Sequence, residues 1–230
     1  MKTLEKTVQR ERKAASRRAF DAQAPRYDDA VCGEHARALY PHVLHALQDA
    51  YMVYARGEEA AGRARAGVPA APFRVLDLGC GTGALDELVL SSLPSVRLTG
   101  VDIAPEMLVR ARRRLQGHAV FVPGDAEKLP FEDGGFDAVI CNDAFHHFPD
   151  PRHAAFEAWR VLAPGGTLIL GDSYQMEPIR VVVNFALPFS REGDVRIYSE
   201  GELRRILGAW FSTVEWRQVA PTACLAQAHK

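Results

Sequence analysis

Asp77, Asp102, Asp125 and Asn142 each stand at the end of a short apolar run of the kind that forms a buried parallel strand. A carboxylate accepts hydrogen bonds at two oxygens, so side chains of this type can hold hydroxyl pairs, amino groups and ammonium ions. The first of the four opens onto the turn Gly79-Cys80-Gly81-Thr82-Gly83. Glycines there let the backbone bend sharply and touch a ligand, and Thr82 is expected to cap the helix that follows. Strand, glycine turn and helix N-terminus make a nucleotide-type pocket. Gly79, Gly81 and Ala84 satisfy the spacing G-x-G-x-x-G/A, with Asp102 placed to hold a ribose, so a nicotinamide-dependent oxidoreductase is one reading. Asp77 opposes it, because an acid facing the turn repels a pyrophosphate and attracts a cation. S-Adenosylmethionine carries an ammonium, a sulfonium and a carboxylate, and suits an acid beside a helix N-terminus. An empty tight turn would leave Asp77 a partly buried acid without a task.

In that reading Asp77 accepts from the ammonium, directly or through water. Gly79 and Gly81 admit the methionyl group, with Cys80 between them as a small filler. Asp102 accepts both ribose hydroxyls, Ile103 and Met107 adjoin the adenine, and Asp125 takes the adenine amino group with the Ala126 N–H near the ring. Asn142 presents its carbonyl to the ammonium, and Tyr27 closes over the cofactor or packs a helix. Taken singly, Asp102 and Asp125 are equally placed to cap a helix or turn. His146 and His147 follow the run Phe136–Asn142. An imidazole titrates near neutrality, so either is a candidate base for an acceptor that must lose a proton, or else a wall of the pocket; Asp143 is the weaker alternative. His35, His42 and His45 fall on a helical face. His42 and His45 have a metal-ligand spacing but no carboxylate at a matching one. Cys32, Cys80, Cys141 and Cys224 form no C-x-x-C pair. No metal is expected.

Six motifs occur in order: Phe20–Asp28, Val75–Ala84, Gly100–Leu108, Gly124–Phe131, Phe136–Val139 and Leu162–Gly166. Together they resemble class I S-adenosylmethionine-dependent methyltransferases, especially the small-molecule group similar to ubiquinone and menaquinone biosynthesis methyltransferases, over roughly Phe20 to Asp172. The resemblance implies a doubly wound α/β sheet of seven strands, mostly parallel, ending in an antiparallel hairpin. It also implies S-adenosylmethionine as methyl donor and a small-molecule acceptor methylated at O, C or N by in-line displacement. Asn142-Asp143-Ala144-Phe145 stands where a DNA-base or glutamine methyltransferase would carry Asn/Asp-Pro-Pro-Tyr. A non-catalytic protein that binds S-adenosylmethionine remains a further reading.

The elements that must position these residues follow from periodicity. Strands are predicted at 74–78, 97–102, 119–123, 136–142 and 167–171, with helices at 84–92, 105–116 and 152–162 between them, the alternation of a parallel sheet covered on both faces. A helix at 201–210 and two strands at 213–218 and 223–228 complete the chain, the strands pairing as a hairpin. Ahead of the sheet, 1–55 reads as an N-terminal helical cap, 56–72 as a linker rich in Gly and Pro (Gly67 among them), and 73–230 as the cofactor-binding domain. Met1–Arg18 is polar and basic and reads as a solvated or frayed terminus, with a helix contacting an anionic surface as the lesser alternative, and Pro41 marks the first turn of a helix. Ser173–Tyr198, with Tyr174, Met176, Phe185 and Phe189, is an irregular apolar stretch that covers a substrate or packs on the core. The chain has 230 residues, 47% hydrophobic content and a formal net charge of −1. Such a balance gives no global field for nucleic acid, and the sequence shows no membrane-spanning run and no secretory leader. A reducing cytoplasm is expected; oligomeric state is left open.

Overall fold

A computed structural model describes residues 2–29, 33–62, 64–65, 68–69, 71–93, 95–187, 190 and 193–230. Cys32, Gly67 and Phe189 lie outside the described residues. The sheet strands are β1 Phe73–Leu78, β2 Val96–Asp102, β3 Val120–Pro123, β4 Phe136–Asn142, β5 Leu162–Ser173, β6 Thr213–Ala220 and β7 Ala223–His229. The helices are α1 Lys2–Gln23, α2 Glu34–Ala60, α3 Ala84–Ser92, α4 Pro105–Leu115, α5 Pro151–Val161, α6 Ile179–Ala186 and α7 Glu200–Leu207. The strands lie in the order β3-β2-β1-β4-β5-β7-β6. The first five are parallel, and β7 runs antiparallel to both its neighbours, β5 and β6.

Period-two alternation decides which side chain meets which layer. Leu76, Leu78, Val139, Cys141, Leu168 and Leu170 share one buried cluster with Ala158 and Val161 of α5 and Leu203 and Leu207 of α7. Their neighbours Val75, Ala138, Ile140 and Ile169 point the other way, into a cluster with Val43, Leu47 and Tyr51 of α2 and Leu85 and Val89 of α3. Strands buried on both faces read as continuous apolar runs, which is why β1 and β4 were visible in the sequence. The edge strand β6 alternates between exposed and half-buried positions.

Three local expectations are corrected. Met1–Arg18 is not a frayed terminus: Lys2–Gln23 is a single helix, with Ser16 buried and Lys13 in ion pairs. Lys13, Ser16 and Phe20 recur at helical spacing on the face that meets the protein, and that face is held largely by charge, so apolar periodicity does not reveal it. Pro41 does not start a helix, because α2 begins at Glu34 and contains it. Thr82 does not cap α3. Gly83 occupies the cap position at φ 75°, and the Thr82 hydroxyl instead donates to Asp28 at 2.6 Å.

Candidate active site

The carboxyl ends of β1 to β4 surround a cavity of about 750 Å³, its open mouth included, within the range of roughly 300–1,000 Å³ usual for small-molecule sites. Its floor is the glycine turn after β1. Gly79, Gly81 and Gly83 all adopt positive φ, at 82°, 53° and 75°, a conformation that side chains with a Cβ resist. A Cβ on Gly79 would also lie 2.7 Å from that of Ala144. Asp102 ties this turn to the end of β2. One carboxylate oxygen accepts the Gly81 N–H at 2.9 Å, the other the Ala104 N–H at 2.8 Å. Burial raises its pKa to about 6 against those two bonds. Asn142 donates to the Ala36 carbonyl at 3.1 Å. Its own carbonyl oxygen is buried and has no partner among the described residues, an acceptor that a bound ammonium would satisfy.

Tyr27, Gly79, Gly81, Asp102, Ile103, Met107, Asp125, Ala126 and Asn142 all line this cavity. Asp77 and Cys80 do not. Cys80 turns back into a cluster with Leu108, Ala111, Leu115 and Phe121. Asp77 is buried beside Asp86, and burial followed by their mutual repulsion holds the Asp77 carboxyl well above the usual range. Asp86 is pushed up to about 7 by burial, so near neutrality the two share a proton. The negative charge that remains on the Asp77–Asp86 pair therefore reaches the turn from behind.

The roof comes from the N-terminus, where a helical cap with Tyr27 was expected but Lys13, Ser16 and Phe20 were not singled out. Lys13, Ser16, Phe20 and Tyr27 close the cavity from above. The Lys13 ammonium donates to Asp125 at 2.7 Å and to Glu127 at 2.5 Å. Burial opposes its charge, but the two acids outweigh that and raise its pKa. Asp21 accepts the Glu106 N–H at 3.0 Å at the start of α4, and Asp28 holds both Thr82 and Arg114. The i, i+3, i+7 spacing of Lys13, Ser16 and Phe20 was the one available signal.

On the acceptor side stand the paired imidazoles. His147 lines the cavity, with Phe20 edge-on at 5.0 Å. His146 lies behind it, ring centres 4.0 Å apart, and its Nδ1 meets Asp172 at 2.5 Å. Burial disfavours charge on His146, but Asp172, Asp143 and Asp194 outweigh it and raise its pKa to about 9. Burial and then the neighbouring His146 cation hold His147 well below its ordinary pKa. Near neutrality His146 is charged and His147 neutral. Asp194 lies 3.1 Å from His147 Nδ1 and 3.6 Å from His146 Nε2. Asp143 accepts from His35 at 2.8 Å, and the other His35 nitrogen meets the Thr222 carbonyl at 3.0 Å. Asp172 carried a signal, an acid near the carboxyl end of β5; Asp194 carried none. Ligand atoms of His146, His147 and Asp194 fall within 4.8 Å of one another, as do those of Asp143, His146 and Asp172, a spacing compatible with an ion.

Residues 76–170 match the family described as a methyltransferase domain. That stretch of the chain is similar to a methyltransferase domain. That domain runs from β1 into β5 and contains every floor and wall residue named above, whereas the roof, α2 and the β6–β7 hairpin lie outside it. The demethylmenaquinone methyltransferase of Thermus thermophilus is 44% identical over 103 residues, 44% of this chain and 47% of that protein. That of Deinococcus radiodurans is 37% identical over 154 residues, 66% of this chain and 57% of that one. The chain thus spans about half the length of the curated relatives it matches. The crystal structure of the YcgJ protein from Bacillus subtilis superposes with a TM-score of 0.60 at 26% identity, covering 80% of this chain and 98% of that one. The fold is accordingly the Rossmann-like methyltransferase fold, with antiparallel C-terminal strands and helices ahead of the sheet.

Proposed function

We propose that this chain transfers a methyl group from S-adenosylmethionine to a small-molecule acceptor. The observation that carries the reading is the cavity at the strand ends of the methyltransferase domain, with a buried, unpartnered Asn142 carbonyl and the Asp102 carboxylate on its wall. In this reading Asp102 holds the ribose hydroxyls, Asn142 and the glycine turn hold the methionyl end, and Ile103 and Met107 flank the adenine. Asp125 and Ala126 meet its polar edge. Asp77 acts through the charge it shares with Asp86, and Cys80 by packing under the turn. When bound, S-adenosylmethionine supplies an electrophilic methyl group.

The remaining work falls to the protein's own side chains. Neutral His147 takes the proton from an acceptor hydroxyl or amine, and His146, fixed by Asp172, keeps that imidazole neutral beforehand. Phe20, Tyr27 and Phe148 shut out water. Holding the acceptor in line can lower a barrier by ~7–11 kcal/mol, so positioning outweighs any single group. A hydroxylated ring resembling a demethylmenaquinone is the first acceptor to test, because the relatives carry that activity in their names. In this reading 73–230 is the cofactor-binding domain and 1–55 its cap, while the linker expected over 56–72 starts later, because α2 continues to Ala60. The buried free thiols of Cys80, Cys141 and Cys224 suit a reducing cytoplasm. Among the described residues no helix is long and apolar enough to cross a membrane.

Calorimetric titration with S-adenosylmethionine and with NAD, followed by transfer of labelled methyl into ring-hydroxylated acceptors and cell extract, tests the reading. Binding of the first ligand with label recovered in a small molecule is expected. Binding of NAD alone overturns it.

A further inference from the structure

Helix α6 is fastened to the protein by its polar side. Arg180 and Asn184 stand one turn apart and both face inward. Arg180 is only 7% exposed, with its guanidinium donating to Glu202 at 3.0 Å and to Glu177. The Asn184 amide donates to the Ile197 carbonyl at 2.9 Å and accepts the Ile197 N–H at 2.8 Å. The apolar side faces out: Phe185 is 81% exposed, Val182 68% and Val181 57%, with Ile179 and Met176 half-exposed beside them. An ordinary surface helix has the reverse arrangement. Large apolar side chains clustered in water mark a surface that something else covers.

We propose that α6 is the face by which this chain docks peripherally on an anionic lipid bilayer. Charge favours that occupant. Residues 179–186 include no acid, and the nearest, Glu177, is engaged by Arg180. Beyond α6, Gly193 lies against Ser16 of α1. On α1, Arg10 and Arg18 are exposed, cations of the kind that anionic headgroups attract. Size favours it too. A stable protein partner needs roughly 800 Å² on each side, more than one eight-residue helix offers. An interfacial helix needs only its apolar side sunk ~5–10 Å into the headgroup boundary with cations nearby. The Arg180 clamp turns the one charged side chain of α6 away from that boundary. Docking of this kind brings the cavity to acceptors dissolved in lipid without any spanning segment.

Sedimentation with phosphatidylcholine vesicles, with and without phosphatidylglycerol, tests the proposal on the full chain. The chain is expected to sediment with the anionic vesicles, less so with neutral ones, and less at high salt. The double variant Val182→Ser/Phe185→Ser should weaken that partition at least about tenfold while keeping its affinity for S-adenosylmethionine, which reports that it is folded. No partition onto either vesicle, equal partition onto both, or undiminished partition of the double variant overturns it. So does a concentration-dependent dimer that the same variant abolishes, which assigns the face to a second copy.

Discussion

At the scale of single residues, the site separates groups that hold from groups that react. Asp102 links the two nearest strand ends through the Gly81 and Ala104 N–H groups. Hydrogen bonds to a charged group contribute ~1.5–3 kcal/mol each. Asp102→Ala is therefore expected to lower cofactor affinity at least about tenfold by calorimetry, with the circular dichroism spectrum unchanged. His147→Gln should leave that affinity alone and lower kcat by about a hundredfold or more. An equal loss of affinity would make His147 a wall rather than a base. The floor residues were readable because each acid or amide follows an apolar run, and chain position alone puts such residues at the mouth of a parallel sheet. Thr82 was misread because its partner, Asp28, lies 54 positions away. Cys80 and Asp77 lie within the motif yet face the wrong way, and spacing along a turn does not say which side of it a side chain takes.

At the scale of elements, the strands announced themselves, whereas of the roof only the helical cap and Tyr27 did. The predicted spans at 84–92 and 136–142 coincide with α3 and β4, because β4 is apolar on both sheet faces and α3 packs Leu85 and Val89 on one of them. Helix α1 fell within the expected cap, but its contact with the cavity escaped notice because the face it presents there is Lys13, Ser16 and Phe20 rather than a run of leucines. Helix α6 escaped for the opposite reason, its apolar side meeting solvent. Lys13 pins α1 to the loop after β3 through two acids. Lys13→Ala should therefore speed amide exchange across α1 several-fold while leaving β4 and β5 protected. It should also speed cofactor release measured by stopped flow. Unchanged exchange in α1 would show that Phe20 and Tyr27 suffice to hold the roof.

At the scale of the whole molecule, the buried imidazole pair links stability to pH. The folded-state pKa of His146 is raised from 6.5 to about 9, so its contribution, on the order of 3 kcal/mol, is complete below pH 6.5 and fades as pH rises through 9. The folded-state pKa of His147 is depressed, so below about pH 6.5 the unfolded chain gains a proton that the folded site refuses. Urea midpoints of the native chain should fall between pH 6.5 and 9 more steeply than those of His146→Gln, which lacks the fading contribution. Parallel slopes would place the charge elsewhere. The whole sheet shares another property. Strand β7 comes after β6 in the chain yet lies between β6 and β5. On the ribosome, β5 emerges long before residues 223–229 exist, so its backbone stands as a bare ladder edge throughout that interval. The nascent chain is then most open to pairing with a foreign strand, and a chaperone that shields this one edge would protect the entire fold.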